Sequence, residues 1–143
     1  MSQYLNIATQ IVSGEHLVKA LKDVGFNKVE IYQTAQPLKG WLGDKRANTA
    51  EIIIRKKYVG SASNDIGFKL GPRGRFTALI SEFDKNRYNA AWLNCLTQRY
   101  AYHVAMDKLQ EKGFDLVEES VQEDQTIHLT LRKMATLRNN GWQ

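Results

Sequence analysis

The chain has 143 residues, of which 43% are hydrophobic and 24% charged, the size and balance of one ordinary globular domain and not of a disordered segment. The net charge is +5, and no apolar run approaches the roughly 20 residues that cross a bilayer, so no membrane insertion is expected. Cys95 is the single cysteine, which excludes an internal disulfide and a thiolate metal cluster. No cofactor and no metal are expected.

In chain order, residues 4–11 read as a short strand with partial alternation. Ser13 is placed to cap a helix, because its hydroxyl can accept an early backbone N–H. Leu17, Leu21 and Val24 then recur at helical spacing, and Gly25 supplies the left-handed stop. Residues 26–32 read as the next strand. Pro37, Gly40 and Gly43 mark 33–49 as a loop that holds Trp41. The β-branched run 50–56 is the clearest strand. Strands at 64–70 and 75–81 follow as a hairpin across Gly71-Pro72-Arg73-Gly74, where proline pre-sets a turn. A long helix is expected over 88–112, ended by Gly113, and a second hairpin from 116–121 and 126–133 around residues 123–125. Residues 1–134 are thus expected as one α+β domain, and 135–143 as a frayed tail.

The segment 17–30 echoes the segment 105–118: Leu21 and Leu109, Gly25 and Gly113, Phe26 and Phe114, Val29 and Val117, and Glu30 and Glu118 coincide. Each copy is a helix, a glycine and a returning strand, compatible with an internal pseudo-repeat or with convergence on the same grammar. The expected class is α+β, a mainly antiparallel sheet with two helices packed on one face.

Charge is unevenly spread. From Lys39 to Arg87 there are eleven Lys/Arg against five Asp/Glu, and from Asp107 to Asp124 two Lys against seven acids. Such polarity can orient docking onto a partner, or be no more than two solvated faces of unequal charge.

The string LTQRYAYH at 96–103, followed by Gly113-Phe114, Val117-Glu118-Glu119, Gln122-Glu123-Asp124 and the strand 127–132, strongly resembles the hypothetical chloroplast reading frame thirty-five family of cyanobacteria and algal plastids. The pattern 7–11, 17–21 and 25–26 fits it too, as do 50–55 and 65–69, so the resemblance covers nearly the whole chain. The basic 71–74 tip and the tail after Met134 depart from it. The resemblance implies a photosynthetic cell, or a virus of one, and, with no signal-peptide pattern in MSQYLNIATQ, a cytoplasmic location, cyanobacterial cytosol or plastid stroma. It implies no reaction.

Candidate sites follow from residue types. A turn of about 100° per residue places Trp92, Cys95, Leu96, Arg99, Tyr102, His103, Met106 and Leu109 on one broad helix face. Arg99, Tyr102 and His103 make a candidate polar pocket, since Arg offers a bidentate fork and His a tunable proton. The competing reading has Arg99 snorkelling to a carboxylate. No nucleophile or catalytic carboxylate can be named beside them. His16, His103 and His128 lack metal-ligand spacing; Gly60–Lys69 lacks P-loop spacing; Glu118, Glu119, Glu123 and Asp124 read as a solvated hairpin tip. Lys39, Trp41, Lys45, Arg46, Arg73 and Arg75 combine cations with an aromatic, the composition of a protein-contact patch or a single-strand nucleic-acid footprint. The leading expectation is a non-enzymatic accessory or assembly protein that binds another protein in a photosynthetic cell. A nucleic-acid-binding regulator is the alternative, and an anion-binding or enzymatic pocket at Arg99 and His103 the third.

Overall fold

The structure, a computed structural model, describes residues 3–123 and 126–133. The expected tail from 135 lies outside the described residues, as do Asp124 and Gln125. Among the described residues ten elements follow one another: β1 (Tyr4–Ala8), α1 (Gly14–Asp23), β2 (Glu30–Lys39), β3 (Lys45–Ile54), α2 (Lys56–Val59), β4 (Ile66–Leu70), β5 (Phe76–Ser81), α3 (Ala90–Glu111), β6 (Phe114–Val121) and β7 (Ile127–Lys133). The fold is α+β with antiparallel sheets. The chain forms two compact units, Met1–Tyr100 and Ala101–Gln143.

The first unit holds a five-stranded sheet in the order β1-β5-β4-β3-β2. Every neighbouring pair is antiparallel, for example Asn6 against Leu79, Gly67 against Leu79 and Ile53 against Gly67. The run Ile52-Ile53-Ile54 is almost wholly buried. A strand with one wet face alternates; three consecutive buried isoleucines require cover on both faces. On one face, α1 begins beside Ile52 and Phe76, whose side chains would lie 3.5 and 3.6 Å from a Cβ at Gly14. On the other, Tyr4, Leu38, Ala50, Ile53 and Leu79 form a cluster with Tyr32 against it.

The expected α1 is present. Ser13 Oγ accepts from His16 N, and Leu17, Ala20 and Leu21 are buried. Gly25 and Gly113 have φ of 107° and 87°, the region that side chains with a Cβ rarely enter. Beyond those glycines the two segments lead into different sheets, β2 at the edge of the five-stranded one and β6 in a two-stranded one.

Three expectations need correction. Residues 33–49 are mostly strand, not loop: β2 runs to Lys39 and β3 starts at Lys45. Pro37 misled because β2 is an edge strand with register shifts on either side of Pro37, where a missing N–H breaks no central ladder. The short α2 had no periodic signal. The buried stripe of α3 in the first unit is centred on Leu93, Leu96 and Tyr100, while Cys95 is exposed. Tyr100 was passed over because its polar end disguised a core position: its hydroxyl accepts from Val12 N and Ser13 N, both at 3.0 Å.

In the second unit, β6 and β7 pair with each other, with a register shift between Leu116 and Glu118. Along β7, half-buried Ile127, Leu129 and Leu131 alternate with exposed His128, Thr130 and Arg132. Met106 is buried, whereas Leu109 is only half-buried.

Candidate functional site

The polar centre of the first unit is Asp65, fully buried just before β4. A buried carboxylate is costly unless its lone pairs are satisfied. Here Oδ2 accepts from Lys39 N at 2.7 Å and Arg55 Nη1 at 2.7 Å, and Oδ1 accepts from Lys56 N at 2.8 Å. Its main chain is tied as well: Asp65 N donates to Lys39 O at 3.0 Å, and Tyr4 Oη donates to Asp65 O at 2.6 Å. Burial, with the Asp65 charge adding to it, pushes the Tyr4 phenol well above its usual range, so it remains a donor. One residue thereby joins β1, β2, the end of β3 and the start of β4.

Arg55 carries the connection outward. Its Nε and Nη2 donate to Glu30 at 2.9 Å. That hydrogen bond holds the Glu30 carboxyl below its ordinary value, assisted by the Tyr32 hydroxyl, which donates to the same oxygen. The same pairing with Glu30, followed by that with Asp65, raises the guanidinium further.

Next to Asp65, Asn64 completes a second network. Its Nδ2 donates to Ser81 Oγ at 3.0 Å, and Ser81 Oγ donates to Asp84 Oδ2 at 2.8 Å. Asn64 N also donates to Asp84 Oδ2, at 3.2 Å. Ser81 is fully buried, and its hydroxyl is spent on this network. Asn64 Oδ1 accepts from Trp41 N at 3.0 Å.

That last bond defines the exposed counterpart of the polar centre. The hairpin tip between β2 and β3 closes through Gly40 N to Asp44 O and Gly43 N to Gly40 O, both 2.8 Å. Asn64 and Asp65 hold it from below. The backbone is pinned, yet the Trp41 and Leu42 side chains are 56% and 73% exposed. Lys39 and Lys45 flank them and are exposed, and the half-buried Arg46 guanidinium lies 5.2 Å over the Tyr4 ring.

The sequence-derived candidates separate on this frame. Lys39, Trp41, Lys45 and Arg46 come together on the one hairpin. Arg73 and Arg75 lie at the β4–β5 turn, closed by Gly71 N to Arg75 O at 2.8 Å. That turn is at the far end of β4 from Asp65, roughly 20 Å away at about 3.3 Å per residue. Arg99 Nε donates to Asp23 Oδ2 at 2.9 Å in the first unit, the carboxylate pairing read above as the competing possibility. In the second unit, the Tyr102 and His103 rings meet edge to face at 5.2 Å. His16 Nδ1 lies 2.6 Å from Ser13 Oγ at the start of α1, and His128 is on β7. Among the described residues no group of three His, Cys, Asp or Glu is placed to hold a metal ion, and no helix is long and apolar enough to cross a membrane.

Sequence reasoning missed Asp65, Arg55 and Leu42. Leu42 was legible beside Trp41 in the same glycine-flanked stretch. Asp65 was not, since an acid at the start of an expected strand ordinarily faces solvent.

Comparison with known proteins bears out the resemblance read from residues 96–133. An uncharacterized protein ycf35 from Cyanophora paradoxa is 26% identical over 136 residues, covering 93% of this chain and 98% of the relative. An uncharacterized protein ycf35 from Guillardia theta is 28% identical over 134 residues, with the same coverage of both chains. No solved structure matches. A family model described as protein of unknown function (DUF1257) matches residues 20–130, well over half of the chain, and the chain belongs to that family.

Proposed function

We propose that this domain is a non-enzymatic, protein-binding accessory module of a photosynthetic cell, and that the β2–β3 tip is its docking element. The observation that carries this reading is the pairing of exposure with rigidity: Trp41 and Leu42 are 56% and 73% exposed on a backbone fixed by Asn64 and by the turn's own hydrogen bonds. A large aromatic held ready in one position loses little entropy on binding and contributes by its desolvation. The flanking Lys39 and Lys45 call for a partner with an apolar socket rimmed by carboxylates, since like charges across an interface are penalised. A nucleic-acid strand fits less well, because Arg73 and Arg75 are not continuous with the tip, and a backbone-tracking footprint needs a continuous basic groove.

A photoreactive residue in place of Leu42, with Trp41 left intact, tests the reading in extract of the native host. The expected product is a nuclease-resistant adduct with one protein, lost on Trp41→Ala and reproduced with that protein purified. An RNA adduct, or equal labelling from the same probe at exposed Phe83, rejects it.

A further inference from the structure

A cleft of ≈ 320 Å³ opens beside Asp65, lined by Glu30, Lys39, Arg55, Lys56, Lys57 and Asp65. It shares only Lys39 with the residues assigned to the tip, and its charge is uneven. Four cations line it with only two carboxylates, and both carboxylates are already engaged. Asp65 is saturated by two backbone N–H groups and Arg55; Glu30 is held by Arg55 and Tyr32. Arg55 spends its fork on those same two acids and on Pro37 O at 3.5 Å. Among the described residues, none of the Lys39, Lys56 and Lys57 ammonium groups is within salt-bridge distance of a carboxylate; Lys39 acts on Glu30 only through space, and the Lys57 ammonium lies 5.0 Å over the Tyr58 ring.

The lysines are also positioned. Lys39 ends β2 and Lys56 begins α2, yet their backbone N–H groups bind the two oxygens of one buried carboxylate, at 2.7 and 2.8 Å. Asp65 therefore clamps the two main-chain roots from which the ammoniums extend, and Lys57 follows directly. Like charges gathered around one cleft on a fixed frame cost electrostatic energy, and an anion in the cleft recovers it. We infer that this cleft binds a compact anion with at least two phosphoryl groups, of diphosphate size. Lysine serves phosphate as a compact point charge. A volume near the lower end of ligand pockets suits a small anion better than a peptide. A second cleft of ≈ 330 Å³ shares Glu30 and Lys57 and adds Lys28 and Tyr58, so a further cation lines the adjoining space.

Isothermal titration of the full chain with pyrophosphate, at constant ionic strength, tests the inference. Saturable one-to-one binding is expected, weakened at least about tenfold by Lys56→Gln with Lys57→Gln, because each lost ammonium removes a charge-assisted contact. Lys85→Gln with Arg87→Gln should leave it unchanged. Lys39 and Trp41 stay intact in both variants, so the result is independent of the docking proposal. Absence of saturation, equal weakening by the two double variants, or orthophosphate binding as tightly as pyrophosphate would overturn it.

Discussion

Asp65 and Trp41 sit on segments joined by hydrogen bonds, and they depart from the usual burial rule in opposite directions. The carboxylate is wholly buried and the indole more than half exposed. At Asp65 every lone pair in use has a donor from outside its own segment, so the cost of burial is offset and the residue acts as a strut. At Trp41 the backbone is satisfied while the side chain is left in water, where it adds little to the stability of the isolated domain. A buried charge with saturated partners thus reads as architecture. An exposed aromatic on a pinned backbone reads as a contact kept for something else.

Substitutions at the two places should therefore separate stability from binding. The largest effect is expected from Asp65→Ala, which strands the Arg55 guanidinium and the backbone N–H groups of Lys39 and Lys56. Denaturant unfolding should show a loss of about 3–5 kcal/mol; a loss under about 1 kcal/mol would remove Asp65 from the centre of the account. Asn64→Ala comes next, because it deletes the acceptor for Trp41 N and the donor to Ser81. About 1–3 kcal/mol is expected, with faster amide exchange at Trp41, and unchanged exchange there would mean that Asn64 does not pin the tip.

A smaller, pH-dependent effect belongs to Glu30. Its folded carboxyl titrates below the ordinary value of 4.5, held there first by the Arg55 hydrogen bond. The pair therefore contributes stability above that value and loses it as pH falls through the lowered one. Thermal melts across pH 2–6, roughly the window of such a carboxyl, should show a flatter acid limb for Glu30→Gln than for the parent chain. Parallel curves would show that the pair is screened to insignificance, the usual fate of exposed ion pairs.

Much of the scaffold was legible in the sequence, because it depends on local signals. Ser13 capped α1, Gly25 and Gly113 ended α1 and α3 with positive φ, and the proline-containing 71–74 turn joined β4 to β5. What could not be read depends on contacts distant in sequence. The strand β2 was hidden by Pro37, harmless only because the tertiary fold makes this an edge. The burial of Tyr100 depended on two N–H groups nearly ninety positions earlier. Of the candidate residues, the cluster Lys39, Trp41, Lys45 and Arg46 emerges as neighbours on one hairpin. Arg73 and Arg75 do not join it, since the hydrogen bonds from Lys39 N to Asp65 and from Trp41 N to Asn64 draw the β2–β3 tip to the end of β4 opposite the 71–74 turn. The role of Asp65 was invisible for the same reason: its partners come from Tyr4, Lys39, Arg55 and Lys56.

The most direct measurement is the pair of numbers from one variant, Trp41→Ala: its melting temperature and its dissociation constant for the purified protein that the tip captures. The account predicts a melting shift of under about 2 °C, because an exposed side chain costs less than about 0.5 kcal/mol. It predicts affinity at least about thirtyfold weaker, the loss typical of a central aromatic anchor. A variant that melts far lower would make Trp41 part of the fold, and a stable variant that binds as tightly as the parent would contradict the docking role outright.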